Sequence, residues 1–238
     1  MQAKDRIVLA LDVANEKQAL NLVELLQPHV GVFKVGMQLY NATGPDIVHK
    51  IHGLGGQVFL DLKFHDIPNT VGAVSRVVAG FGCMMFNVHC AGGRAMMEAA
   101  AQAVKEESLK QGIARSRVLG VTVLTSLSEA QVNNELGIPG TVQDTVVRWA
   151  ALARDSGLDG VVASPQEVSA IREECGPDFL IVTPGVRPIW ADTQDQKRVT
   201  TPREAVEKGS DYLVIGRPVT AAPDPVTAVQ RIITELEE

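Results

Sequence analysis

Eight short apolar runs recur along this chain, and segments with helical spacing separate them. The runs cover residues 7–11, 30–35, 57–60, 84–89, 117–122, 160–163, 179–182 and 212–215. They do not alternate apolar and polar residues, as a strand with one wet face does. A strand covered on both faces reads this way, which points to a parallel sheet under helices. Between the runs, Asn15 precedes Ala19, Leu22, Val23 and Leu26 at helical spacing, in the position of a cap. Pro45 suits the first turn of a helix carrying Ile47, Val48 and Ile51. Further helices are expected from Asn69 or Thr70 onward, over 93–110, 142–152 and 167–174, around Ala205, and from Pro225 to the end. Eight such repeats predict an α/β fold, a single (β/α)₈ TIM barrel occupying 1–238 as one domain. An open doubly wound sheet is the alternative, weakened because no Gly-x-Gly-x-x-Gly follows the first run.

A chain of 238 residues, 45% hydrophobic and 21% charged, suits one barrel with a large core. Its net charge of −6 argues against general affinity for nucleic acid or an anionic membrane, so an anionic ligand needs a local positive site. No apolar run approaches a membrane span, and the first residues lack the apolar core of a signal peptide. Cys83, Cys90 and Cys175 fit no metal-ligand spacing. A cytoplasmic protein with reduced thiols is expected.

The densest chemistry follows the third run, in Asp61-Leu62-Lys63-Phe64-His65-Asp66-Ile67-Pro68-Asn69-Thr70. In extended backbone Asp61 and Lys63 point to the same side, and Pro68 supports a turn just beyond Asp66. Carboxylate, ammonium and carboxylate are therefore expected together at a strand end. Such crowding shifts protonation and is commoner at active sites than in structural roles, although a surface ion pair is the plain alternative. Barrels place their sites at the C-terminal ends of strands. The other ends carry Asp12, Lys34, His89, Thr122 to Ser126, Ser164, Pro184-Gly185 and Gly216-Arg217. Lys34 interrupts an apolar strand, where an unpaired ammonium is costly. Gly216 admits a phosphate close to the backbone and Arg217 adds charged donors, at the strand where barrels often bind phosphate. His29, His49 and His52 read as surface residues, His65 as a support of its turn, and His89-Cys90 lacks a third ligand.

These segments resemble the orotidine 5′-phosphate decarboxylase family, in its bacterial form. The resemblance runs through the whole chain. It is carried by Leu9-Ala10-Leu11-Asp12, Phe33-Lys34-Val35-Gly36, the Asp61-x-Lys63-x-x-Asp66-Ile67-Pro68-Asn69-Thr70 motif, Val121 to Ser126, Thr183 to Arg187, Gln196-Lys197-Arg198 and Ile215 to Pro218. It implies a barrel that converts orotidine monophosphate to uridine monophosphate with no cofactor and no metal. It further implies a homodimer with shared sites. By resemblance, Lys63 gives the proton to C6, and Asp61 sits by the departing carboxylate. Asp66 and Thr70 reach into the neighbouring subunit's site. Asp12 and Lys34 hold ribose hydroxyls, Thr125 and Ser126 meet the pyrimidine, and Arg187, Gln196, Gly216 and Arg217 hold phosphate. The segment 184–196, around Trp190, is expected to close over the ligand. Three alternatives stand beside this one: a magnesium-dependent sugar-phosphate decarboxylase, a lysine Schiff-base aldolase and a non-catalytic phosphate-binding barrel. In the magnesium group an acid generally stands where this chain has Lys34, and a non-catalytic barrel has no need of the charged array.

Overall fold

The computed structural model describes residues 1–191 and 200–238. Eight parallel strands close into a barrel in chain order: β1 (Ile7–Ala10), β2 (Val32–Gly36), β3 (Val58–Phe64), β4 (Met85–His89), β5 (Arg117–Val121), β6 (Gly160–Val162), β7 (Leu180–Thr183) and β8 (Tyr212–Ile215). β8 pairs with β1, so no strand edge is left open. Closure rules out the doubly wound sheet. The helices are α1 (Glu16–Leu26), α2 (Met37–Thr43), α3 (Asp46–Gly53), α4 (Pro68–Gly80), α5 (Gly93–Gln111), α6 (Glu129–Asn134), α7 (Val142–Asp155), α8 (Val168–Cys175), α9 (Pro202–Glu207), α10 (Arg217–Thr220) and α11 (Pro225–Glu237).

Local chemistry starts several of these helices where the sequence indicates. Asn15 accepts from the Gln18 amide, Thr201 and Glu204 form a capping box, and Asp224 caps α11 just before Pro225. Pro45 sits one residue earlier than expected, as the cap of α3. Three short helices, α2, α6 and α10, lie in stretches for which no helix was expected. Each has only four to seven residues, too short for apolar periodicity to show.

The core has two layers. Val8, Val32, Phe59, Met85, Leu119, Val182 and Tyr212 pack inside the barrel. A larger set, including Leu9, Phe33, Leu60 and Phe86, packs between the strands and the helices. This alternation explains the runs of apolar residues: both faces of each strand are dry. It also sets the site. Two residues beyond the interior layer, on the same strand faces, stand Ala10, Lys34, Asp61 and Asn87. Lys34 lies opposite Ala10 on one side and Phe59 on the other.

Candidate active site

Four charged side chains, from β2, β3 and the segment just after β1, form one connected array at the C-terminal mouth of the barrel. Lys63 Nζ donates to Asp61 Oδ1 at 2.6 Å. Lys34 Nζ lies 3.3 Å from Asp61 Oδ2 and 3.1 Å from Asp12 Oδ1. Lys34 is buried and is therefore paired on both sides, as the cost of burying an ammonium requires. Gly36 makes this possible: a Cβ there would stand 3.0 Å from Lys34 Nζ and 3.3 Å from Asp12 Oδ1.

The Asp61 side chain is only 12% exposed. Burial is the largest influence on its carboxyl and disfavours the charge. The Lys34 and Lys63 ammoniums, with hydrogen bonds from Lys63 and Asn87, together outweigh it and hold the group below the usual carboxylate range. On β4, burial pushes the His89 imidazole below its ordinary value, with His65 and Lys63 adding to the effect. The His65 and His89 rings lie 5.4 Å apart.

Sequence reasoning treated Asp61 and Lys63 as two positions of a regular strand. The structure corrects this. Lys63 has φ of 54°, alone in positive φ among the described non-glycine residues. A left-handed backbone costs a lysine about 1–2 kcal/mol, so its surroundings must hold it there. The side chains of Asp61 and Lys63 meet as expected, but on a backbone that is not regular strand at Lys63.

The expected crowding of Asp66 with Asp61 and Lys63 is not seen within one chain. Asp66 lies beyond the end of β3, is exposed, and accepts from the Ile67 amide at 2.6 Å. Neither Asp66 nor Thr70 lines the cavity that Lys63 enters. The physical reason is the turn at Pro68, which starts α4 and carries this strip over the rim.

The cavity measures about 300 Å³ and is bordered by Asp12, Lys34, Asp61, Lys63, Thr125, Arg187, Gly216 and Arg217. Eight of the expected residues thus surround one space. Val123, Ala163, Val186 and Pro184 give it an apolar wall. Ser126 lies instead in an adjoining hollow with Gln131, Ser164 and Glu167. Gln196 falls outside the described residues, as do 192–195 of the expected closing segment. At its near end, Arg231 of α11 covers the Trp190 ring at 4.3 Å. Arg187 is buried, and its amide donates to Thr200 O. Among the described residues, no three His, Cys, Asp or Glu side chains gather as a metal site, and no helix is long and apolar enough to cross a membrane.

One residue of consequence went unread in the sequence. Asn87 is fully buried, donates to Asp61 Oδ1 at 2.7 Å and accepts from the Lys63 amide at 2.8 Å. Its signal was available: in Met85-Phe86-Asn87-Val88 a polar residue interrupts an apolar strand, as Lys34 does in β2.

The arrangement offers a fixed ammonium against a carboxylate at one part of the cavity and two guanidiniums at another, with apolar surface between. It suits an anion whose reacting atom lies away from its phosphate. Known proteins resemble the chain over its whole length. A protein of Syntrophomonas wolfei subsp. wolfei named orotidine 5′-phosphate decarboxylase is 57% identical over 239 residues, covering 100% of both chains. One of the same name from Moorella thermoacetica is 54% identical, over 100% of this chain and 94% of the relative. The crystal structure of orotidine 5′-phosphate decarboxylase from Lactobacillus acidophilus superposes with a TM-score of 0.84 at 38% identity, covering 98% of this chain and 99% of that one. The model of the orotidine 5′-phosphate decarboxylase / HUMPS family matches residues 5–232, and the chain belongs to that family.

Proposed function

We propose that this chain decarboxylates orotidine 5′-monophosphate to uridine 5′-monophosphate in cytoplasmic pyrimidine biosynthesis, acting as one barrel domain without cofactor or metal. The observation that carries the reading is the Lys63–Asp61 hydrogen bond at the cavity wall, tied through Lys34 to Asp12. Arg187, Gly216 and Arg217 hold the phosphate, with Gln196 as a further donor. Asp12 and Lys34 bind ribose hydroxyls, and Thr125, with Ser126, meets the pyrimidine. The C6–carboxylate bond breaks, CO₂ leaves, and the electron pair remains on C6. The Lys63 ammonium stabilises that charge and gives C6 its proton, after which lysine regains one from water. Asp61, beside the substrate carboxylate, disfavours the ground state and keeps Lys63 in place.

The array also supports the metal-free reading. The Lys34 ammonium already occupies the space between Asp12 and Asp61, where a divalent cation would have to displace it. The dimer of the proposal puts Asp66 and Thr70 into the partner's site. The exposed strip Asp66 to Thr70 supports this, since its Ile67 is 66% exposed and a second subunit gives it cover. The test is the loss of ultraviolet absorbance of orotidine 5′-monophosphate in the presence of EDTA. Turnover is expected to be unchanged by the chelator. Activity lost in EDTA and restored by magnesium moves the chain to a metal-dependent sugar-phosphate decarboxylase. Borohydride trapping of a substrate adduct would instead indicate Schiff-base chemistry.

A further inference from the structure

β3 and β4 do not pair evenly. Leu60 lies opposite Phe86 and Phe64 opposite Val88, so Asp61, Leu62 and Lys63 all face the single residue Asn87. A bulge of this kind leaves backbone groups without ladder partners. Here the Lys63 amide finds its partner in the Asn87 side-chain oxygen at 2.8 Å. The nitrogen of that Asn87 carboxamide donates to Asp61 Oδ1 at 2.7 Å, the oxygen that also receives Lys63 Nζ at 2.6 Å. Asn87 thus closes a ring: its carboxamide joins the Lys63 backbone to the Asp61 carboxylate, and the Lys63 side chain returns to that same carboxylate. Its side chain is 0% exposed, so neither bond has water to replace it.

We propose that Asn87 is a positioning residue for the decarboxylation: it holds the Lys63 backbone in its left-handed conformation and fixes the Asp61 oxygen against which the ammonium is aimed. The inference rests on the proposed role of Lys63. A simple filler of the bulge needs neither the donor nor the acceptor of a carboxamide. A positioning group needs both, because Lys63 must deliver its proton within a narrow range of distance and angle. The charged and titratable groups that share this corner are Lys34 from β2, Lys63 from β3 and His89 from β4, with Asp12 beyond Lys34.

Two variants test it in the full-length protein. In Asn87→Ala both bonds are gone. The expected result is a kcat lower by ~10²-fold, as for a misplaced catalytic group, with affinity for uridine 5′-monophosphate within about threefold because the phosphate and ribose contacts lie on other strands. Asn87→Asp is nearly isosteric and keeps the acceptor towards the Lys63 amide, but it replaces the donor to Asp61 with a second carboxyl. Carbon-13 carboxyl resonances of ligand-free protein are expected to show Asp61 titrating at higher pH than in wild type, and the acidic limb of kcat is expected to move the same way. A kcat within about twofold of wild type in Asn87→Ala overturns the inference, as that is under half a kcal/mol of barrier. So does an unchanged Asp61 titration in Asn87→Asp, a readout that needs only a folded protein and no turnover. A wild-type protein that leaves orotidine 5′-monophosphate intact overturns the proposed function and with it the catalytic part of the inference, whereas the titration reads the Asn87–Asp61 bond in either case.

Discussion

Lys63 and Asp61 share a 2.6 Å hydrogen bond at the irregular end of β3, where the Lys63 backbone is left-handed. The carboxylate that receives the lysine is itself held by Lys34 and Asn87. Donor and counter-charge are thus fixed before any substrate arrives, which is the condition for electrostatic stabilisation without reorganisation.

Replacing Lys63 by Ala should therefore abolish decarboxylation while leaving the barrel folded. The proposed roles of proton donor and charge stabiliser coincide in this group, and each alone is typically worth ~10²–10⁴ in rate. Initial rates with a thermal melt by circular dichroism check both halves. A rate within about tenfold of wild type, only ~1.4 kcal/mol of barrier, removes Lys63 from the mechanism.

At the other end of the cavity, Arg217→Ala should act mainly on binding. In the proposed reading the guanidinium holds the phosphate, away from the reacting carbon, and a charge-assisted hydrogen bond there contributes roughly 1.5–3 kcal/mol. KM should rise on the order of 10–10²-fold. Adding free phosphite with a substrate lacking the phosphate offers a second measurement, because bound oxyanion and Arg217 then contribute separately. An unchanged KM places the phosphate elsewhere.

The Asp61 carboxyl, held below its ordinary range, links stability to pH. Its unfolded-state value is about 3.9, and the folded value is lower, so below that point the unfolded chain binds more protons. The stabilisation is complete above about pH 4 and is lost as pH falls through the folded value. Urea unfolding at a series of pH values should show a shallower loss of stability below pH 4 for Asp61→Asn than for wild type. Parallel curves would mean that Asp61 titrates alike in both states.

Cys83 and Cys90 are buried, and burial pushes both thiols up to about 12. Neither should react with a thiol reagent at pH 8 in the native protein, since thiolate is the reactive form. Cys175, partly exposed, should be modified first, and all three should react in denaturant. Rapid native modification of Cys83 or Cys90 contradicts the packing beneath α4 and β4.

Mixing Asp66→Ala with Lys63→Ala protein tests the shared site. Each is expected to be nearly inactive alone. After subunit exchange, each mixed dimer has one site with both lesions and one with neither. Activity should recover towards half the wild-type value per mixed dimer. Demonstrated exchange without recovery assigns Asp66 to its own chain.

The sequence by itself determined the eightfold repeat, the buried strands and the chemistry of their ends. Apolar periodicity, the Asn15 cap and the helix start at Pro225 are local, so they are legible without a fold. Asp12, Lys34, Asp61 and Lys63 could be singled out because a charge interrupting or ending an apolar run is costly and therefore conspicuous. Only the tertiary structure decided how they meet. Barrel closure brings Arg217 on α10 and Asp12 after β1 to the wall of one cavity, although they lie 205 positions apart. The β3–β4 mismatch, the left-handed Lys63 and the bonds of Asn87 depend on the register between strands, which no spacing within one strand reveals. Asp66 shows the same limit: three residues from Lys63 in sequence, it leaves the cavity because the chain turns at Pro68, and proximity along the chain did not become proximity in space.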